Sequence, residues 1–343
     1  MINNTDLETI LHLRSNIPLI DVRSPCEFEK GHIPGSLNIP LFTNEERAEI
    51  GTLYKEEGQE KAIELGETYA IPRIDWYLSR VKEASSSDHV ALYCYRGGMR
   101  SGRFSELLDS RGWNVSRLTG GYKSYRRKAK ERFAEDLPLL ILGGKTGSGK
   151  TEVLIELRKK GEAVIDLEGL ASHRGSAFGN IGLDEQPTTE QFENNLYEKI
   201  LEIGDRKPLW LEDESAGIGR IFLPDDLFAT MRRSPMVVLD IPSDIRVERL
   251  CREYTQWGKE PLLDAVTRIT RRLGGDRAAK AIDAIEKDNL SAAASIVLGY
   301  YDKCYDYGMN KDGQRICGSI KLETGNPSEA AEELLKLKDS LFP

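Results

Sequence analysis

The stretch Leu137–Val153, LPLLILGGKTGSGKTEV, decides how the second half of this 343-residue chain is read. It opens with an apolar run, too short to span a membrane and suited to a strand buried on both faces. Gly144-Lys145-Thr146-Gly147-Ser148-Gly149-Lys150-Thr151 then fits G-x-x-x-x-G-K-[ST] without a gap, and helix-forming residues follow. Glycines let successive backbone N–H groups turn inward around phosphate oxygens, and the helix start adds its partial positive charge. Lys150 would neutralise a terminal phosphate, and the Thr151 hydroxyl would complete a Mg²⁺ shell. The pattern predicts a di- or triphosphate site and leaves open which compound carries the phosphates.

The flanking sequence repeats a strand–helix rhythm. AVIDLE (163–168), PLWLED (208–213) and MVVLDIP (236–242) read as strands separated by helical stretches, and from about Asp244 onward the pattern becomes almost wholly helical. Such alternation predicts a parallel sheet with ligand sites at the C-terminal ends of its strands. Two candidate groups sit at such ends. WLEDES supplies Glu212, Asp213 and Glu214, with Asp213 the first choice for a metal-side carboxylate. DLEGLASHRGSAFG places His173, Arg174, Gly175 and Ser176 in a turn able to grip a second phosphate or part of a substrate.

The first half has the same rhythm. IPLIDVRS (17–24) and DHVALYCYRGG (88–98) read as strands, YAIPRIDWYLSRVKEA (69–84) and SGRFSELLDSRGW (101–113) as helices, and NVSRLTGGY (114–122) as a strand with a glycine stop. These readings give an α/β chain of two domains, 1–130 and 131–343. The first runs straight into CYRGGMRSGR, where Cys94 heads a loop with Arg96, Gly97, Gly98 and Arg100. Backbone amides turned toward one sulfur, a helix start and nearby guanidiniums favour the thiolate and can hold an anion delivered to it.

Composition narrows the classes. Hydrophobic content of 39% and charged content of 30% are ordinary for a globular protein, and neither a transmembrane run nor a signal-like start is visible, which predicts a cytosolic protein with no membrane partner. Five cysteines without a C-x-x-C pair argue against a disulfide framework or a zinc site, and Cys251, Cys304 and Cys317 read as small buried hydrophobes. A net charge of −8 argues against indiscriminate nucleic-acid coating but allows a local basic surface. YKSYRRKAKERF (122–133), with Arg126, Arg127, Lys128 and Lys130, is either that surface or a solvated helix joining two domains.

DVRSPCEFEKGHIPGSLNIP (21–40) together with the Cys94 loop resembles rhodanese domains over roughly the first 125 residues. That resemblance gives Cys94 the active-site role, Asp21 and Arg23 a part in shaping the anion pocket, and Cys26 a spectator's place. The loop reads C-x₅-R, one residue longer than in many sulfur-carrying rhodaneses and equal to the loop of related phosphatases. With GGKTGSGKTE, LASHRGSAFG, WLEDESAGIGRIFLP and LGYYDKCYDYG in order, the whole chain resembles the tRNA 2-selenouridine synthase family. The resemblance implies replacement of sulfur by selenium in wobble-position 2-thiouridine of tRNA. Selenophosphate would come from a supply enzyme and reach Cys94 as a perselenide. An S-geranyl-2-thiouridine intermediate would be made from geranyl diphosphate, whose diphosphate would occupy residues 144–151. Arg126–Lys130 would help hold the tRNA. Two other readings stand beside it: a C-x₅-R phosphatase fused to a small-molecule kinase, and a non-catalytic nucleotide-gated adaptor.

Overall fold

A computed structural model describes residues 1–204 and 208–341. The chain divides into two compact units, Met1–Arg132 and Phe133–Pro343, so the division falls inside the helix Gly121–Phe133.

In the first unit, strands β1 (Ile2–Thr5), β2 (Leu19–Asp21), β3 (Leu37–Asn38), β4 (His89–Tyr93) and β5 (Asn114–Leu118) form one sheet in the order β1-β5-β4-β2-β3, every pair parallel. Apolar runs make the middle strands. Val90, Ala91, Leu92 and Tyr93 are all buried, as a strand covered by helices on both faces requires. From β2 the chain crosses to β3 on one side, and from β4 to β5 on the other. The strand order therefore reverses between β2 and β4, and the crevice at their C-terminal ends is where ligands bind in such sheets. Asp21 ends β2, and Cys94 follows β4.

The second unit carries β6 (Leu139–Gly144), β7 (Ala163–Val164), β8 (Leu209–Glu212), β11 (Met236–Asp240) and β12 (Ile316–Lys321) in the all-parallel order β12-β11-β6-β8-β7, and a two-stranded ribbon β9 (Gly217–Ile218)/β10 (Ile221–Phe222). Its order reverses between β6 and β8, which places the phosphate loop beside Glu212–Glu214. Leu140, Leu142, Trp210, Val237 and Leu239 fill the core under the sheet. The segment 163–168 is a shorter strand than expected, because Asp166 caps the helix Leu167–Leu170 by accepting from Gly169 N. The expectation of an almost wholly helical C-terminal part needs one correction. ICGSIK forms β12 along β11, and the helices Ser243–Tyr254, Glu260–Leu273, Gly275–Glu286 and Leu290–Asp312 precede it. Those helices bury their own apolar cluster, including Leu262, Val266, Ile269 and Ile285. Among the described residues no helix is long and apolar enough to cross a membrane.

Candidate functional site

Cys94 is 3% exposed, with Tyr95, Arg96, Gly98 and Met99 exposed in the loop above it. Its Sγ lies 3.2 Å from the hydroxyl of Ser101, which sits in the first turn of the helix Met99–Asp109. The loop is held closely against the next one. Tyr122 N donates to Cys94 O and Lys123 N to Tyr95 O. Gly97 and Gly121 both take left-handed backbone (φ +66° and +57°), and a Cβ on Gly97 would stand 2.7 Å from Leu118 O. Only glycine fits there.

The charged residues are distributed differently from the sequence expectation. Arg23 is buried and donates to both oxygens of Asp21 (Nη2 to Oδ2 2.6 Å) and to Gly31 O, with its guanidinium 3.9 Å over the Tyr122 ring. Asp21 and Arg23 therefore brace the floor of the crevice and do not reach an anion. Arg100 grips the Glu27 carboxylate with two bonds, 2.6 and 3.1 Å, and does not point at the sulfur. Burial works against the Glu27 anion, but the hydrogen bond and charge of Arg100 outweigh it and hold the carboxyl below its usual pKa. Arg96 is exposed, has no ion pair among the described residues and lies 5.9 Å from the Tyr95 ring centroid. It is the guanidinium at hand for an arriving anion, which would compete with Glu27 for Arg100. Ser101 and Glu27 were not singled out in the sequence, since only folding brings residue 27 to residue 100.

In the second unit the loop after β6 turns through Gly147 and Gly149 (φ +77° and +85°) into the helix Lys150–Lys159. Lys150 Nζ donates to Gly144 O at 3.0 Å, and the Ser148 hydroxyl is buried with no hydrogen-bond partner among the described residues. Lys145 pairs with Asp306 at 2.8 Å. Arg249 Nη1 donates to Gly147 O at 3.1 Å. Thr151 Oγ1 donates to Glu168 Oε2 at 3.1 Å. Gly147, Gly149, Lys150, Thr151, Glu168 and Arg249 line a cleft of about 960 Å³, continuous with solvent, whose wall includes Arg174, Ser176, Glu214 and Arg232.

Carboxylates crowd this cleft. Burial, then repulsion from Glu168, raises the Glu214 pKa to about 8 against the pull of Lys150. Burial, then Asp166, pushes Glu212 well above its ordinary value, and one of its oxygens has no partner among the described residues. Burial opposes the Lys150 ammonium, but Tyr305, Glu168, Glu214 and Asp213 prevail and raise its pKa. Asp213, the expected metal ligand, instead offers Oδ1 to Arg232 (3.1 Å) and Arg315 (2.6 Å), so its charge is already answered. Glu168 takes the place beside Thr151. Among the described residues no group of three or more His, Cys, Asp or Glu side chains is placed to hold a metal. Mg²⁺ is commonly bound through one or two carboxylates and substrate phosphates, and Thr151 with Glu168 fits that pattern. His173 is buried and does not line the cleft, its Nδ1 has no partner among the described residues, and its pKa is lowered by burial and by Arg174 and Arg268. Arg174, paired with Glu253 at 2.6 Å, is on the wall with Ser176.

On the helix Gly121–Phe133, Tyr122, Tyr125, Ala129 and Phe133 face the core. That spacing leaves Arg127, Lys128 and Lys130 exposed, with Arg126 half-buried. Arg127 and Lys128 share Glu131 at 3.6 and 3.0 Å. Exposed pairs of this kind are worth little and exchange readily for phosphate. Cys304, expected in the interior, is exposed, and Cys251 and Cys317 are half-buried.

A parallel α/β unit with a cysteine loop at its reversal point, continued by a second with a phosphate loop at its own, defines a rhodanese-like domain fused to a P-loop domain. The rhodanese-like domain family matches residues 4–128, and the tRNA 2-selenouridine synthase AAA domain family matches residues 137–334. The tRNA 2-selenouridine synthase of Sulfurovum sp. (strain NBC37-1) is 38% identical, covering 88% of this chain and 91% of that one. Those of Psychromonas ingrahamii (36%; 87% and 90%) and Shewanella sp. strain MR-7 (37%; 87% and 89%) are similar to the same extent. The chain belongs to the tRNA 2-selenouridine synthase family and is an enzyme of that type.

Proposed function

We propose that this enzyme exchanges sulfur for selenium at a wobble-position 2-thiouridine of tRNA in two steps, one at each reversal point. In the second unit, geranyl diphosphate places its diphosphate in the loop Gly144–Thr151, with Lys150 and Arg249 opposite its charge; Thr151 and Glu168 would hold a Mg²⁺ ion, which would neutralise further phosphate charge. The thiouridine sulfur attacks the first carbon of the geranyl chain, the C–O bond breaks, and diphosphate leaves with the electron pair. The product, S-geranyl-2-thiouridine, has a thiol leaving group where the free thiocarbonyl had none.

In the first unit, Cys94 acts on selenophosphate. The C-x₅-R spacing and the Ser101 hydroxyl 3.2 Å from Sγ suit nucleophilic attack at phosphorus. Attack there breaks the P–Se bond and expels selenide with both electrons. The phosphocysteine is hydrolysed to phosphate. Selenide adds to C2 of the geranylated base, and geranyl thiol departs. Capture of selenium on Cys94 as a perselenide would instead leave phosphorus as phosphite. The exposed cations Arg127, Lys128 and Lys130 meet the tRNA backbone, and the unstacked anticodon lets one base be splayed into a pocket.

The observation that supports this reading is the presence, in a chain of this family, of two glycine-rich turns at the two reversal points, one following Cys94 and one leading into Lys150. The test is mass spectrometry of nucleosides after incubation of thiolated tRNA with enzyme, selenophosphate and geranyl diphosphate. Wild type should yield selenouridine. Cys94→Ala should lose it and accumulate the geranylated nucleoside, and added hydrogen selenide should restore it. Loss of both products in a folded Cys94→Ala enzyme would overturn the division of labour, and phosphite in place of phosphate would establish the perselenide route.

A further inference from the structure

The helices Ser243–Tyr254, Glu260–Leu273, Gly275–Glu286 and Leu290–Asp312 do not close completely on one another. Between them lies a cavity of about 70 Å³, partly open at its mouth. Its interior is aliphatic, with Leu250, Leu262, Val266, Ile285 and Val297 on the walls. The neighbouring buried positions are small, among them Ala265, Ala281 and Ala293, which is why the helices approach without filling the space. An apolar void of this kind stays dry and forfeits dispersion contacts, so an apolar occupant is welcomed.

The mouth decides what the occupant is. Thr146, Ser176, Tyr254 and Tyr301 line both this cavity and the phosphate cleft, so the void opens beside the loop that holds phosphate. Tyr301 is fixed there by accepting from Ala177 N at 3.1 Å, and Thr146 O accepts from Arg246 at 3.2 Å. A nucleotide base entering the interior would find no polar side chain to satisfy its edges, at a cost of kilocalories per unpaired group. A hydrocarbon chain needs none. We infer that this cavity receives the tail of a prenyl diphosphate whose diphosphate rests on Gly144–Thr151, and that its size limits the length of the chain accepted. The inference rests on the diphosphate role given to that loop above and extends it to the hydrocarbon.

The test uses the full chain. Cys251 lines the cavity and is half-buried, so it reports occupancy without any mutation. Burial raises its thiol pKa, and alkylation is therefore run at alkaline pH and read residue by residue by mass spectrometry. Geranyl diphosphate should slow alkylation of Cys251 several-fold, and inorganic diphosphate should not. Ala293→Leu, which adds bulk to the cavity, should weaken geranyl diphosphate by about tenfold, the loss of roughly two buried methylenes, while inorganic diphosphate binds as before. Dimethylallyl diphosphate should be affected less.

If the wild-type enzyme geranylates tRNA but Cys251 is unprotected and Ala293→Leu binds normally, the tail lies elsewhere and only this inference falls. If geranyl diphosphate binds no tighter than inorganic diphosphate and no geranylated nucleoside forms, the proposed function falls with it. Should Ala293→Leu fail to bind inorganic diphosphate, its fold is lost and the Cys251 footprint on the wild type alone decides.

Discussion

Glu214 is the residue whose proton links the phosphate cleft to pH. Its folded pKa of about 8 exceeds the ordinary 4.5, so between those values the folded chain holds a proton that the unfolded chain has released. Its contribution to stability is complete below pH 4.5 and is lost as pH rises toward 8. A neutral Glu214 also spares an incoming diphosphate one repelling charge. Diphosphate affinity measured by calorimetry should therefore fall as pH passes through about 8, and Glu214→Gln should flatten that part of the profile. An unchanged profile in the variant would show that another group governs it. In the first unit, Asp21→Asn would leave the buried Arg23 guanidinium without its counter-charge, at a cost of about 3–5 kcal/mol in denaturant unfolding. The double variant Asp21→Asn/Arg23→Met should recover much of that loss, because it removes the stranded cation as well.

At the scale of elements, the thiol's position depends on two turns pressed together. A Cβ on Gly121 would stand 2.5 Å from Gly97 N, against backbone that has no room to yield. Gly121→Ala should cost about 1–3 kcal/mol in stability and displace Cys94 enough to impair selenation further than stability alone explains. Gly35→Ala provides the comparison, since it shares a positive φ (+80°) but has nothing within 4 Å. It should lower stability by about 1–2 kcal/mol and spare activity. The same scale explains which elements were legible. β4, β6, β8 and β11 are apolar runs, the first three leading into candidate site residues, and periodicity finds such runs. β1 and β12 lie at sheet edges and β3 has two residues, one of them exposed. They become strands because a neighbour offers them a ladder, and sequence pattern carries little of that.

At the scale of the whole molecule, each unit has its own sheet and core, centred on residues such as Ile20, Leu92 and Phe104 in the first and Leu140, Trp210 and Leu239 in the second. Urea unfolding should accordingly show two transitions, with diphosphate shifting only that of the second unit. A single transition moved as a block would mean that the units unfold together. The α/β class, the two-unit organisation, the cysteine loop and the phosphate loop were all readable from the chain, because each rests on neighbouring residues whose spacing is itself the signal. What folding alone settled is which polar groups meet, Glu27 with Arg100, Glu168 with Thr151, and Arg232 and Arg315 with Asp213, and that an aliphatic cavity adjoins the phosphate cleft. Those pairings join residues tens or a hundred positions apart, and local sequence holds no record of a contact made only when the strands come into register.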